Sequence, residues 1–488
     1  MANTYLHGAY STPGATQAKS AIQAGSVAVY IGTAPTHLVR GYAEKDLANR
    51  PVKLTDWKQA QQAIGYSDKW DAFTLCEAMK AHFNNPLGNI GPIYVINVLD
   101  PDTHKSAQQT TQTLTFTNKR AEFASDTIIL DTFTIADKAE GVDYSLEYDY
   151  TTGMVTVTDL TGEAATAQAT FATVDTSKIT ETDIVGSVTS AGEYKGIAAL
   201  ELLYNNENQV ATDIAAPGWS HKPAVYNALV TACQKMNGHW YAYSYSDIPL
   251  EGTATIEAAI QWKQTNGYSS KYSTVCWPKV ITNTGEKYHL STLSVWRQMQ
   301  VDFSHESVPF ETASNKAIPG MKQYFGEGVK NAGYDKQRGN ALNEKGIRTV
   351  CPHNGQLVLW GGHTAAFTYG ATADANVIFD TNVKMQNYIM NSFQRDRGEE
   401  IDKPMIPRKL KDDILNSEQD KLDALVARGA LIGQPECVFL EGENSTTDMV
   451  NGDFKWNHIY TPTPQLKSAS TSASYTDAGF SVYTAATE

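Results

Sequence analysis

Short, almost continuously apolar runs alternate along this chain with longer stretches in which apolar residues return every third or fourth position. SVAVYIGTAP (26–35) is β-branched and aromatic and closes on Gly32 and Pro35, the pattern of a buried strand. DWKQAQQAIG (56–65) and DAFTLCEAMKAHF (71–83) follow with helical spacing, the second placing Phe73, Cys76, Met79 and Phe83 on one stripe. GPIYVINVLDP (91–101) is again a strand. Near-continuous apolar strands separated by helices predict an α/β layer whose sheet is covered on both faces.

At residue 101 the pattern changes to Thr-, Ala-, Asp- and Ser-rich sequence with period-two strands, TLTFT (113–117) and TIILDTFTI (127–135). DYSLEYDYTTGMVTVTDL (143–160) predicts a hairpin around Thr152-Gly153, since Gly can take the positive φ of a tight turn. Residues 101–196 are therefore expected to form an inserted, mostly-β domain. The α/β alternation resumes with KGIAALELLYN (195–205), QVATDIAAPGWS (209–220) and a helix over 221–238. In that helix Ser220 is the expected cap, Pro223 sits in the first turn and Gly238 stops it. WYAYSYSDIP (240–249) and STVCWPKV (273–280) read as strands, 255–265 and 288–302 as helices. From 366 the pattern turns to long helices, 376–396 and 407–429, the second carrying Leu410, Ile414, Leu422, Leu425 and Val426 on one side.

Both ends lack such patterning. YLHGAYSTPGAT (5–16) places apolar and aromatic residues in a segment too broken by Gly and Pro for a helix. Residues 464–488 are polar and small apart from Tyr475, Phe480, Val482 and Tyr483. The expected organisation is thus an arm and linker (1–25), an α/β core split into 26–100 and 197–365, the insertion (101–196), an α+β domain (366–463) and a second extended arm (464–488).

At 488 residues several domains are expected. A net charge of −14 without a Lys/Arg-rich run disfavours a nucleic-acid or anionic-membrane surface. The chain opens without the charged-then-apolar pattern of a secretion signal, and no apolar run is long enough for a membrane span. Five scattered cysteines with no CxxC read as reduced core thiols. The 25 Tyr and 9 Trp suit either interfaces or an ordinary core.

Candidate chemistry is sparse. Ser220-His221 near Asp213 invites a hydrolase reading, but APGWSHK is not a G-x-S-x-G elbow, and helix capping is the plainer role. The histidines form no H-E-x-x-H, and His353 and His363 read as loop residues beside the strand QLVLWGG. Neither glycine-rich phosphate motif occurs, and GYDKQRGN (333–340) reads as a solvated loop. No catalytic, cofactor-binding or metal residue is assigned.

Six phrases resemble one known family. GAYSTPGA (8–15), SVAVYIGTAP, GPIYVINVLDP, ATDIAAPGWSHKPAV (211–225), ALNEKGIRTV (341–350) followed by GQLVLWGGHTA (355–365), and WNHIYTPTPQLKSA (456–469) are similar, in this order, to the contractile tail sheath proteins of bacteriophages. One departure is His363, where the family commonly has Arg, so any ionic contact of that Arg is in doubt. The resemblance implies a homo-oligomer of hexameric rings stacked into a helical tube around a tail tube protein, contracting to drive the tube through a cell envelope. Baseplate and tail terminator proteins would be partners; cofactors, nucleic acid and direct membrane insertion would play no part. The protein would belong to the virion tail, assembled in the host bacterial cytoplasm, with the inserted domain facing outwards. The terminal arms would join neighbouring copies through Tyr5, Leu6, Tyr10, Tyr475, Phe480, Val482 and Tyr483. An extended segment without local hydrogen-bond partners can satisfy them by adding a strand to another copy's sheet, and head-to-tail donation propagates instead of closing a dimer. The sheath of a contractile bacteriocin or injection system shares this physics. An α/β hydrolase and a cell-surface layer protein are the other classes, the latter disfavoured by the absent signal pattern.

Overall fold

Strand β1 (Ile22–Gly32) forms over the SVAVYIG run and starts a sheet that β2 (Pro51–Leu54) and β3 (Ile90–Asn97) join. The computed structural model describes residues 22–162, 165–371, 374–407 and 413–485, so Tyr5, Leu6 and Tyr10 lie outside the described residues. Between β2 and β3 run the helices Trp57–Ile64 and Leu75–Phe83, the first capped by the Asp56 carboxylate, which accepts the Gln59 N–H at 3.0 Å.

The insertion builds β4 (Thr110–Thr115), β5 (Arg120–Ala124), β6 (Thr134–Ile135), β7 (Tyr144–Asp149), β8 (Met154–Asp159) and β9 (Thr166–Phe171). They form two three-stranded antiparallel sheets, ordered β4-β9-β6 and β5-β8-β7. The expected hairpin is β7–β8, with Gly153 at φ 70° in its turn. The expected strand over 127–135 is broken, with a 3-10 turn, Leu130–Thr132, between an isolated bridge at Ile128 and β6. Ile128, Ile129 and Leu130 are all buried, which one alternating strand on a half-exposed sheet cannot achieve. Phe133, Val155, Val157 and Phe171 centre a separate apolar core that also takes in Leu38 from the loop after β1, while Ile129, Ala172, Val174, Ile179 and Ile184 pack into the main core. Residues 176–196 thus pack with the α/β layer, whereas the expected insertion ran to 196.

After the insertion come β10 (Asp213–Ala215), β11 (Tyr243–Asp247), β12 (Ser273–Cys276), β13 (Lys279–Ile281), β14 (Lys287–Tyr288), β15 (Lys322–Tyr324), β16 (Ile347–His353) and β17 (Gln356–Trp360). The main sheet has eight strands in the order β17-β16-β12-β11-β10-β1-β3-β2, parallel from β16 to β3, with antiparallel strands β17 and β2 at its edges. The chain steps from β1 to β3 and then back across β1 to β10, so the connections reverse direction between β1 and β10. The helices Pro223–Lys235, Ile256–Thr265, Leu290–Ser304, Lys336–Asn343 and Asp380–Arg397 accompany it. Two local expectations are corrected. Ser220 does not cap helix Pro223–Lys235; its hydroxyl accepts the Asp247 N–H at 2.9 Å. GYDKQRGN is no loop: Asp335 accepts the Arg338 N–H at 3.0 Å and starts helix Lys336–Asn343. All five cysteines are buried.

The chain divides into two units, Met1–Lys403 and Pro404–Glu488. The expected boundary at 366 falls elsewhere because helix Asp380–Arg397 carries charged side chains paired inside the first unit. The second unit holds helix Leu415–Ala427 and the antiparallel pair β18 (Leu431–Val438) and β19 (Asn457–Pro462). Of the expected helix over 407–429, residues 413–427 are helical, and Leu410 lies outside the described residues. Ile414, Leu422 and Leu425 are buried and Val426 is half-buried, as the stripe requires. Leu425→Asp is expected to cost several kcal/mol by burying an unpaired charge, read as an earlier urea transition of the second unit; melting at the parent's midpoint would remove Leu425 from its core. Residues 463–476 have no regular secondary structure, and the expected extended arm ends instead in helical turns over 478–485.

Candidate functional site

Ligands of doubly wound α/β sheets bind beyond the carboxyl ends of the strands where the strand order reverses, commonly as anions at a helix N-terminus. Here that place lies beyond β1 and β10, beside the N-terminus of helix Leu290–Ser304, and the protein's own carboxylates take the helix N–H groups. Glu77 Oε1 accepts the His289 N–H and Oε2 meets His289 Nδ1, both at 2.7 Å. Asp247 Oδ1 accepts the Ser291 N–H at 3.0 Å, and its other oxygen accepts the Ser291 hydroxyl. Burial pushes the Glu77 carboxyl up, but His289 outweighs it and the net shift is down. Burial holds Asp247 above the usual carboxylate range despite His289 and Ser291. Gly218 approaches the same spot so closely that a Cβ there would stand 2.8 Å from Thr74 Cγ2. The position that would cradle a phosphate is thus already supplied with anionic oxygen.

The hydrolase reading finds no geometry here. Ser220 is fully buried and bonded to Asp247, and no hydrogen bond among the described residues joins it to His221. Burial, Lys222 and the nearby His289 lower the His221 imidazole to about 4. Asp213 instead accepts the Tyr245 hydroxyl at 3.1 Å and pairs with Lys384 Nζ at 2.7 Å. Among the described residues no group of His, Cys, Asp and Glu could hold a metal ion, and no helix is long and apolar enough to cross a membrane.

The charges buried in the first unit fasten helix Asp380–Arg397 to the sheet. Arg348, in β16, pairs with Asp380 and donates from Nε to the Gly361 carbonyl at 2.8 Å. One turn on, Lys384 Nζ reaches Asp213 at 2.7 Å and Asp302 at 3.5 Å. Burial lowers the Lys384 ammonium, but the two carboxylates overcome it and hold the group charged. Burial raises Asp302 to about 6 against the pull of Lys384. Asn387 and Asn391 continue the seam by donating to the carbonyls of Ala242 (2.9 Å) and Tyr241 (2.7 Å). A cavity of about 400 Å³ adjoins Lys384, Ser26, Asp302 and Arg395. Sequence reasoning missed this set. Its signal was an Arg inside the apolar run GIRTVC and the i, i+4 pair Asp380/Lys384 on a segment read only as a long helix. His363 stacks on Phe367 and Phe379, with ring centroids 3.7 and 5.0 Å away, and its Nδ1 lies 2.8 Å from the Ile378 carbonyl.

In the second unit the relevant feature is an open sheet. β18 and β19 pair only with each other among the described residues. Leu431, Pro435 and Cys437 are buried, whereas Ile432 and Ile459 are exposed. Such an exposed, partly apolar two-stranded sheet is marginal alone and invites further strands. Tyr475, Phe480, Val482 and Tyr483 are all exposed, Tyr475 at 85%. Among the described residues Phe480 and Tyr483 approach each other, with ring centroids 6.3 Å apart.

The relationships of the sequence agree with this picture. The chain is 28% identical over 490 aligned residues to the tail sheath protein of Burkholderia phage BcepMu, covering 96% of each. A putative prophage major tail sheath protein of Pseudomonas aeruginosa is 24% identical over 304 residues, 60% of this chain and 72% of that protein. Among solved structures, a chain of the anti-feeding prophage baseplate superposes with a TM-score of 0.56 at 15% identity, covering 97% of this chain and 99% of its own. The sheath of an extracellular contractile injection system in its contracted state also gives 0.56, at 12% identity, covering 98% and 99%. No protein-family profile matches the chain. The resemblance to contractile tail sheath proteins carried by the six motifs is borne out, and it spans the insertion as well.

Proposed function

We propose, from the similarity to the tail sheath proteins just described, that this protein is the structural subunit of a contractile tail sheath. Copies polymerise as stacked hexameric rings around a tail tube and contract to drive the tube through the host envelope, within a virion tail assembled in the bacterial cytoplasm. The observation that carries this reading is the sequence relationship to a phage tail sheath protein over 96% of both chains. The filled switch point supports a mechanical over an enzymatic role. Tail tube, baseplate and tail terminator proteins are the partners. A likeness in fold to the sheath of an injection system keeps that setting as a second reading of the same subunit; the neighbouring genes separate the two.

The terminal segments act as arms that join copies, through Tyr5, Leu6 and Tyr10 at one end and Tyr475, Phe480, Val482 and Tyr483 at the other, onto the open sheet of the second unit. The insertion faces outwards and takes no part in connectivity. Lys105 bridges Val174, so residues 107 and 172 can be joined by a short Gly/Ser linker. Combined with Leu38→Ser, which spares solvent a stranded apolar side chain, that excision is expected to leave polymerisation intact; a folded core that no longer polymerises would contradict it. Negative-stain micrographs of the purified chain test the function itself. Tubes of constant diameter are expected, and a protein that stays monomeric at every concentration and salt tried would overturn it.

A further inference from the structure

The two edges of the small sheet are not equivalent. On the outer side of β18, the Gln419 side chain of helix Leu415–Ala427 donates from Nε2 to the Pro435 carbonyl at 2.9 Å, and its Oε1 accepts the Cys437 N–H at 3.1 Å. A carbonyl at one residue and an N–H two residues on, both bonded to one amide, is the pattern a residue of an added parallel strand would make opposite Glu436. The Nε2 group also donates to Asp423 Oδ1 at 2.9 Å, so both acceptors face its two N–H groups and the amide has one orientation. The same edge carries Pro435, which offers no N–H, and a register irregularity between Ile432 and Glu436 with Gly433 at φ 79°. Space is not what excludes a strand: a groove of about 440 Å³ runs alongside, lined by Gln419, Asp423, Val426 and Gly433.

We propose that Gln419 closes the β18 edge against strands of other copies, which confines strand addition to the β19 side of the sheet. This inference rests on the reading that copies join by donated strands. In a chain that must polymerise in one geometry, an open second edge would accept strands out of register and join subunits wrongly. Gln419 supplies from within the subunit the two hydrogen bonds that a donated strand would make opposite Glu436.

The test uses the full chain with Gln419→Ala and, separately, Gln419→Glu, which keeps the side-chain size but replaces both donor hydrogens with a carboxylate facing an acceptor. Light scattering against concentration gives the onset of association, and micrographs give its products. Freeing both edge groups in Gln419→Ala, or the Pro435 carbonyl in Gln419→Glu, is expected to lower the onset about tenfold, the equivalent of one or two hydrogen bonds, with irregular aggregates beside any tubes. Far-ultraviolet melting identifies which variant remains folded, and either one suffices. A folded variant that associates at the parent's concentration into the parent's objects overturns the closed edge. Failure of strand exchange itself would show differently, as normal tubes from a chain that keeps Gln419 but lacks residues 464–488.

Discussion

Asp380→Ala is expected to cost the first unit about 3–5 kcal/mol, because it strands a guanidinium in the interior. Arg348 is fully buried, and it cannot escape by giving up its proton. Burial works against its charge and the Asp380 carboxylate more than offsets that, so the net effect favours the charged form. Its Nη1 has no hydrogen-bond partner among the described residues, and Nε is engaged by Gly361. Loss of the carboxylate therefore leaves little to compensate the charge. The double variant Arg348→Met/Asp380→Leu removes both charges and should recover most of the loss. Urea titration followed by the fluorescence of the buried Trp277 and Trp296 measures each corner of the cycle. Equal losses in the single and double variants would mean that the pair does not hold helix Asp380–Arg397 to the sheet.

Removing residues 464–488 is expected to leave both units folded and to abolish long tubes. The tail buries almost nothing within its own subunit: Leu466 is 86% exposed, and Phe480, Val482 and Tyr483 are likewise out in solvent. Such a segment contributes little to the stability of the fold it hangs from, but its backbone groups and apolar side chains can be satisfied on another copy. On the proposed function, contacts between core surfaces would break and re-form during contraction, whereas a donated segment on a tether without regular structure can persist through the motion. Deleting residues 1–21 should act alike, and the two deletions together no worse. Circular dichroism establishes that the truncated chains fold, and micrographs score tube length. Tubes as long as the parent's from either truncated chain would rule out the arms as the linkage.

Much of the α/β layer was legible because its strands are short apolar runs whose closing residues act locally. Gly32 ends β1, Asp56 caps the next helix, and Gly153 turns the β7–β8 hairpin. The features that failed to show are those whose partners lie far off in sequence. Ser220 looked like a cap because its neighbours are a helix start, but its hydroxyl is taken by Asp247, 27 residues on. Asp213 reads in the sequence as a neighbour of Ser220-His221, and only the fold pairs it with Lys384, as it pairs Arg348 with Asp380. GYDKQRGN was misread because its charges outweighed the Asp cap that starts its helix. The residues expected in the arms are apolar side chains in segments that cannot bury them, and Tyr475, Phe480, Val482 and Tyr483 are exposed in the subunit.

Hydrogen exchange, read by mass spectrometry on the free subunit and on assembled tubes, tests the central claim most directly, since strand donation must protect backbone amides that the subunit alone leaves open. In the free subunit, amides of 463–476 should exchange at nearly the rate of an unstructured peptide. In tubes, part of this tail and the β18–β19 sheet should slow by roughly a hundredfold or more, as expected for hydrogen bonds that open only when a contact worth about 3 kcal/mol is lost. Tubes in which residues 463–485 exchange as fast as in the free subunit would contradict arm exchange as the bond that holds the sheath together.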